Sequence, residues 1–131
     1  MTESIQNPQT RALFTLALED EFVLTLALPE NIFGFHAQQS GETFLKTLLS
    51  ARNAPYRFTH QLNNLQELLE HHGEVLPATP WDLATLQPYA GMFRYEQGAS
   101  LAEADKASIR ASGAVVRRFV LDRIMQLEQA G

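Results

Sequence analysis

Apolar residues recur at helical spacing along most of the chain. From Thr10 to Leu28, Leu13, Ala17, Leu24 and Ala27 fall on one stripe, and Phe14, Leu18 and Phe22 on its neighbour. That periodicity predicts a first helix over the whole span. Pro29-Glu30-Asn31 closes it or opens the next. A second helix is predicted from about Asn31 to about Arg52, where Ile32, Phe33, Phe35, Phe44, Leu45, Leu48 and Leu49 cover most of the circumference. A helix that apolar sits centrally in a bundle. Ala37 and Gly41 share the row of Phe33, Phe44 and Leu48, and their small size would let another helix approach closely.

Pro55 disfavours helical geometry at the residue before it, so the segment from Asn53 reads as a connector. Thr59 is the expected cap of a third helix, which carries Leu62, Leu65, Leu68 and Leu69 and stops at Gly73. Pro77 to Pro80 is a turn, and a short helix is expected to start around Thr79-Pro80-Trp81-Asp82. After a break at Gln97-Gly98-Ala99-Ser100, the last helix runs from about Leu101 to about Gln129. Ile109, Gly113, Val116, Val120, Ile124 and Leu127 mark its face at spacings of three and four. No strand-like alternation, internal repeat or low-complexity segment interrupts this pattern. The expected fold is all-α, an up-and-down bundle of four to five antiparallel helices. The expected organisation is a flexible lead over residues 1–9 and one domain over 10–131.

At 131 residues the chain is long enough to bury a core without staples. It has no cysteine, which excludes disulfides and thiolate metal sites and agrees with a cytoplasmic location. No basic run followed by an apolar stretch opens the chain, and no apolar run has the length of a membrane span, so neither secretion nor a membrane is expected. The net charge of -5 argues against broad nucleic-acid binding by the field of the whole protein. A local basic patch remains compatible with it.

Several polar residues fall where helices should be packed. Asp20 continues the apolar stripe of the first helix, and a carboxylate there needs a partner or water. Gln38, Glu42 and Lys46 are four apart on the central helix, with the acid and base in the favourable order for an ion pair. His36, Gln39 and Thr43 form an adjacent row. His60 follows an aromatic and basic loop, Tyr56-Arg57-Phe58. Tyr89, Arg94 and Tyr95 combine two phenols with a guanidinium, a set that can hold phosphate and stack on a base or simply anchor a loop. Lys106, Arg110 and Arg117 lie roughly along one face of the last helix, as a solvated face or a short phosphate-binding strip. The four histidines show no His-x-x-x-His or His-Glu-x-x-His spacing, so no metal is expected. No cofactor is expected. No glycine-rich phosphate loop and no serine or cysteine nucleophile set is present.

The run Phe35-His36-Ala37-Gln38-Gln39-x-x-Glu42-x-x-Leu45-Lys46, with Arg57-Phe58-Thr59-His60-x-Leu62 and Pro88-Tyr89-Ala90-x-x-x-Arg94-Tyr95, resembles the HEPN domain family. The likeness extends from about Arg11 to Ile124, and Asp20 looks like the acidic residue often found in the family's first helix. The resemblance implies a helical bundle that dimerises. It also implies nucleotide binding and association with a small nucleotidyltransferase in toxin–antitoxin-like pairs. Some members are metal-independent ribonucleases that use Arg-x4-6-His across a dimer interface. Here Arg52 to His60 is longer than that spacing, Arg57 to His60 is shorter, and no histidine follows Arg94. Ser40-Gly41 and Thr43-Phe44 also depart from the family's usual residues.

The leading expectation is therefore a dimerising module that binds a nucleotide or a nucleotidyltransferase partner. Its nucleotide-binding or interface residues would be His36, Gln39, Glu42, Lys46, His60, Tyr89, Arg94 and Tyr95. A ribonuclease acting on RNA through His60 with Arg57 or Arg94 is the alternative, and a purely structural interaction module is the third.

Overall fold

A computed structural model describes residues 5–56, 59–90 and 101–130. Among them the chain forms four α-helices, α1 (Pro8–Val23), α2 (Glu30–Ala51), α3 (Leu62–His71) and α4 (Glu103–Ala130), and one 3-10 helix, Leu83–Ala90. The architecture is an all-helical bundle. No helix among the described residues is long and apolar enough to cross a membrane.

Helix α1 starts earlier and ends earlier than its periodicity suggests. Asn7 caps it, its Oδ1 accepting from Gln9 N at 2.9 Å and Thr10 N at 3.1 Å. Pro8 then occupies a first-turn position whose N–H would have no helical partner. Ile5 is fully buried, and Gln6 N donates to the Glu128 carboxylate at 2.9 Å. The end of the expected flexible lead is thus part of the packed structure. At the other end, the amides of Leu24, Thr25 and Leu26 bond three residues back instead of four. The Thr25 hydroxyl donates to Phe22 O at 2.8 Å, and Arg110 Nε donates to Leu24 O at 2.8 Å. These bonds tighten and close the last turn, so the helix stops short of Leu28. Phe22, at the last turn of the helix, is 67% exposed although it continues the stripe of Phe14 and Leu18.

Helix α2 runs through the middle, touching α1, α3, α4 and the 3-10 helix. Phe33, Ala37, Phe44 and Leu48 are all buried on its predicted row. Phe14 of α1 meets Phe44 edge to face, with ring centroids 5.5 Å apart. At Gly41 an added Cβ would come 3.4 Å from Leu62 and 3.7 Å from Leu83. At Gly34 it would lie 2.5 Å from the Tyr89 ring, which is closer than atoms can approach.

Helix α3 buries Leu62, Leu65 and Leu69. Thr59 does not cap it. Gln61 holds the cap position without a side-chain bond. The Leu62 amide is met instead by Gln87 Oε1 of the 3-10 helix, at 3.1 Å. At the C-terminus, Gly73 has φ +93°. Its amide bonds Glu70 O and that of Glu74 bonds Leu69 O, both at 3.0 Å. This is the glycine-terminated turn that satisfies a helix's last carbonyls.

The turn delivers Glu74 into the core, where it is 4% exposed. Two guanidiniums meet it. Arg52 Nη1 lies 2.5 Å from Oε2, and Arg123 Nε lies 2.7 Å from Oε1. Arg52 also donates to His72 O. The cluster ties the end of α2 and the turn after α3 to α4. Burial pushes the Glu74 carboxyl up, but hydrogen bonds and charge from Arg123 and Arg52 together hold it below the usual carboxylate range. A carboxylate with a depressed folded pKa stabilises the fold above its unfolded pKa and loses that contribution as pH falls through the folded value.

Two outcomes follow from this packing. Gly34→Ala should lower stability by about 1–3 kcal/mol in urea titrations, because the Tyr89 ring must move. Glu74→Gln should be less stable than wild type at neutral pH. That gap should shrink in acid as pH drops below the ordinary carboxyl value of 4.5.

Candidate functional site

The expected polar face of α2 is a connected network. Gln39 Nε2 donates to Gln38 Oε1 at 2.6 Å, and Gln38 Nε2 to Glu42 Oε1 at 3.0 Å. Lys46 Nζ donates to the other oxygen, Glu42 Oε2, at 2.7 Å. Lys46 Nζ also lies 2.9 Å from His60 Nδ1, which brings the loop before α3 onto the helix. Gln38 is fully buried, Glu42 nearly so, and the Lys46 side chain is 13% exposed. Helical spacing sets this order. Residues four apart share a face, and the loop before α3 meets that face at Lys46.

Gln87 completes the network. Its Oε1 accepts from Gln38 Nε2 at 3.4 Å and from the Leu62 amide at 3.1 Å. One amide oxygen thus joins α2, α3 and the 3-10 helix. A buried carboxylate is tolerable only with its charge paired and its lone pairs occupied. Glu42 meets both needs with one ammonium and one amide.

The consequence falls on His60. An ammonium has only protons to give, so its contact requires the lone pair of Nδ1 and places the ring proton on Nε2. Glu42 Oε2 lies behind, 3.6 Å from Nδ1. The His60 side chain is 65% exposed. It lines an open hollow of about 720 Å3 with Thr59, Asn64, Glu67 and His71. One edge of the imidazole is held by the buried network while the ring itself reaches solvent. Such a ring can donate a hydrogen bond from Nε2 to a phosphate or carbonyl oxygen without first being ordered.

A second pair lies one row away. His36 Nδ1 is 2.7 Å from Asp20 Oδ1, with both side chains 27% exposed. The polar residue in the α1 stripe has therefore found its partner on α2. The carboxylate accepts from Nδ1–H, which orients the ring.

Other expected site residues have different surroundings. The Tyr89 ring packs against Gly34, and burial followed by the charge of Glu30 raises its phenol above the usual tyrosine value. Tyr89 is thus a packing residue with a half-buried ring. Arg57, Arg94 and Tyr95 lie outside the described residues. The strip on α4 is not free for phosphate. Lys106 and Arg110 stand over the Phe33 ring, at 5.6 and 5.2 Å from its centroid. Arg117 donates to Glu21 at 2.8 Å. Among the described residues no three His, Asp or Glu side chains converge to hold a metal ion.

Gln87 is the functional neighbour that sequence reasoning missed. A lone glutamine before Pro88 in an irregular stretch has no periodicity to mark it. Its only signal was its place beside Pro88-Tyr89, a segment already singled out.

A family model described as the HEPN domain matches residues 29–121, which takes in α2, α3, the 3-10 helix and most of α4. No curated protein matches the chain, and no solved structure does.

Proton-detected 15N NMR of the imidazoles should show His60 as the Nε2–H tautomer. Lys46→Met should remove the donor at Nδ1 and give a mixture of tautomers. Glu42→Ala should cost about 1–3 kcal/mol in chemical denaturation, because Lys46 and Gln38 lose their shared acceptor.

Proposed function

This chain belongs to the HEPN domain family, and on that premise we propose that it is a dimerising helical module that binds a nucleotide, or the nucleotidyltransferase partner that would handle one, in a toxin–antitoxin-like pair. The observation that supports this reading is the position of His60. A buried chain from Gln38 through Glu42 and Lys46 fixes one edge of its ring, and the ring stands in an open polar hollow. The ring is held from behind and left accessible.

In this reading His60 donates from Nε2 to a phosphate oxygen. Lys46 adds positive charge behind the ring. Its charge is partly offset by Glu42, so the site favours an anion modestly and draws specificity from hydrogen-bond geometry. Asn64 and the other polar residues of the hollow offer donors and acceptors to a base or sugar. Arg94 and Tyr95 are the further residues proposed for phosphate and base. The cytoplasm is the proposed location.

Titration calorimetry with purine and pyrimidine nucleotides tests this. Wild type should bind at least one of them. His60→Ala should weaken binding about 10-fold or more, the loss expected for one hydrogen bond to a charged group. Arg94→Ala should weaken it as well. Absence of binding by wild type would remove the nucleotide reading and leave the association with a protein partner.

A further inference from the structure

The end of α1 and the first half of α4 line an open groove of about 500 Å3. Leu18, Phe22, Leu24 and Ala114 give it an apolar lining, and Glu21, Arg110 and Arg117 bring the charges. Apolar walls with a few placed polar groups, around a volume of about 300–1,000 Å3, are the usual make-up of a small-molecule site. At about 30 Å3 per water-sized group, the space takes roughly sixteen non-hydrogen atoms. The exposed Phe22 ring is left for an occupant to cover. No residue lines both this groove and the His60 hollow.

The charges of the groove do not cancel. Arg117 Nη1 donates to both oxygens of Glu21, each at 2.8 Å, so those two neutralise each other. Arg110 is left over, since among the described residues no carboxylate pairs with it. Its Nε donates to Leu24 O at 2.8 Å, and its guanidinium stands over the Phe33 ring, 5.2 Å from the centroid. These contacts hold the group in place and spend only the inner N–H donor. Among the described residues its two terminal nitrogens have no hydrogen-bond partner. A guanidinium anchored at Nε and open at its outer edge is arranged to take a carboxylate with two parallel bonds. Glu21 limits the charge of the anion. One surplus positive charge balances a monoanion, whereas a phosphate monoester carries up to about two negative charges at neutral pH and would set the second against Glu21. The apolar lining suits an apolar body behind the acid group.

We propose that the α1–α4 groove binds a small amphipathic monocarboxylate, its carboxylate on the terminal nitrogens of Arg110 and its apolar body against Leu18, Phe22, Leu24 and Ala114. The site is independent of the nucleotide reading and shares none of its residues. It holds the acid by charge and shape and performs no chemistry on it. Arg110 already joins α4 to the last turn of α1 through Leu24 O, so an occupant held by the same side chain stabilises that junction.

Titration of the full 15N-labelled chain with octanoate, followed by amide chemical shifts, tests the site. Saturable shifts should centre on the groove, at Thr25 and Ala114 among others. Lengthening the acid from hexanoate to octanoate should tighten binding about 2- to 4-fold per methylene. 3-Phenylpropionate distinguishes an aryl from an alkyl body, and saturable binding of either acid in the groove supports the proposal. Octanamide, with the same body and no charge, should bind about 10-fold or more weakly. Arg110→Met should weaken octanoate about 10-fold or more and leave octanamide nearly unchanged. A loosened end of α1 would weaken both probes alike, so the difference reads the guanidinium itself. Ala114→Phe keeps Arg110 and fills the groove, and should remove binding of both. Val75→Glu, at an exposed position outside the groove, should bind octanoate as wild type does. Octanoate shifts that do not saturate, or that centre elsewhere, overturn the site. Equal affinity for acid and amide, or equal losses of the two in Arg110→Met, overturn the assignment of the carboxylate to Arg110.

Discussion

Helix α2 is enclosed, and each polar group it carries must be satisfied from within the protein. This constraint organises the rest of the bundle. A buried Glu42 requires a cation and a donor, and the helical repeat supplies them one turn away in each direction as Lys46 and Gln38. The pairing leaves Gln38 short of a second acceptor and α3 short of a cap. Gln87 answers both at once. The 3-10 helix therefore has to lie across the start of α3, and the Tyr89 ring two residues on has to fit over α2. Only a glycine at position 34 leaves room for it. Network and packing are two descriptions of one arrangement.

Much of this arrangement was legible in the chain. Helical periodicity placed α2, α3 and α4 to within a few residues, because their buried faces repeat over several turns. The row of Gln38, Glu42 and Lys46 was legible for the same reason, as was the need of Asp20 for a partner. The partner itself, His36, lies sixteen residues away across a helix crossing, and no local pattern encodes that meeting. The early end of α1 was hidden too. Its stripe continues through Leu24 and Ala27, but three tight backbone bonds and Arg110 from α4 close the helix before them. Tertiary contacts overrode periodicity there, since no glycine or proline lies between Val23 and Pro29 to mark a stop.

Charge placement shows the same division. The basic residues of α4 share a face, and the spacing alone is compatible with a phosphate strip. The fold instead gives each of them a neighbour: Lys106 and Arg110 the Phe33 ring, Arg117 the carboxylate of Glu21. Arg52 and Arg123 converge on Glu74 from helices far apart in sequence. A guanidinium that satisfies a buried carboxylate is costly to withdraw, so Arg52 and Arg123 are poor candidates for ligand binding. Cations near an accessible surface carry more weight for function when their partner is itself mobile or titratable. Lys46 is the described cation that fits this, because its second contact is an imidazole 65% exposed to solvent.

That contact gives the bundle a division of labour between its faces. On the side of α3, the network ends in an exposed imidazole whose proton position is set from within. On the side of α1, the oriented pair Asp20–His36 joins the first helix to the same central rod, three residues before Gln39. The Asp20–His36 pair and the His60 hollow thus lean on one helix.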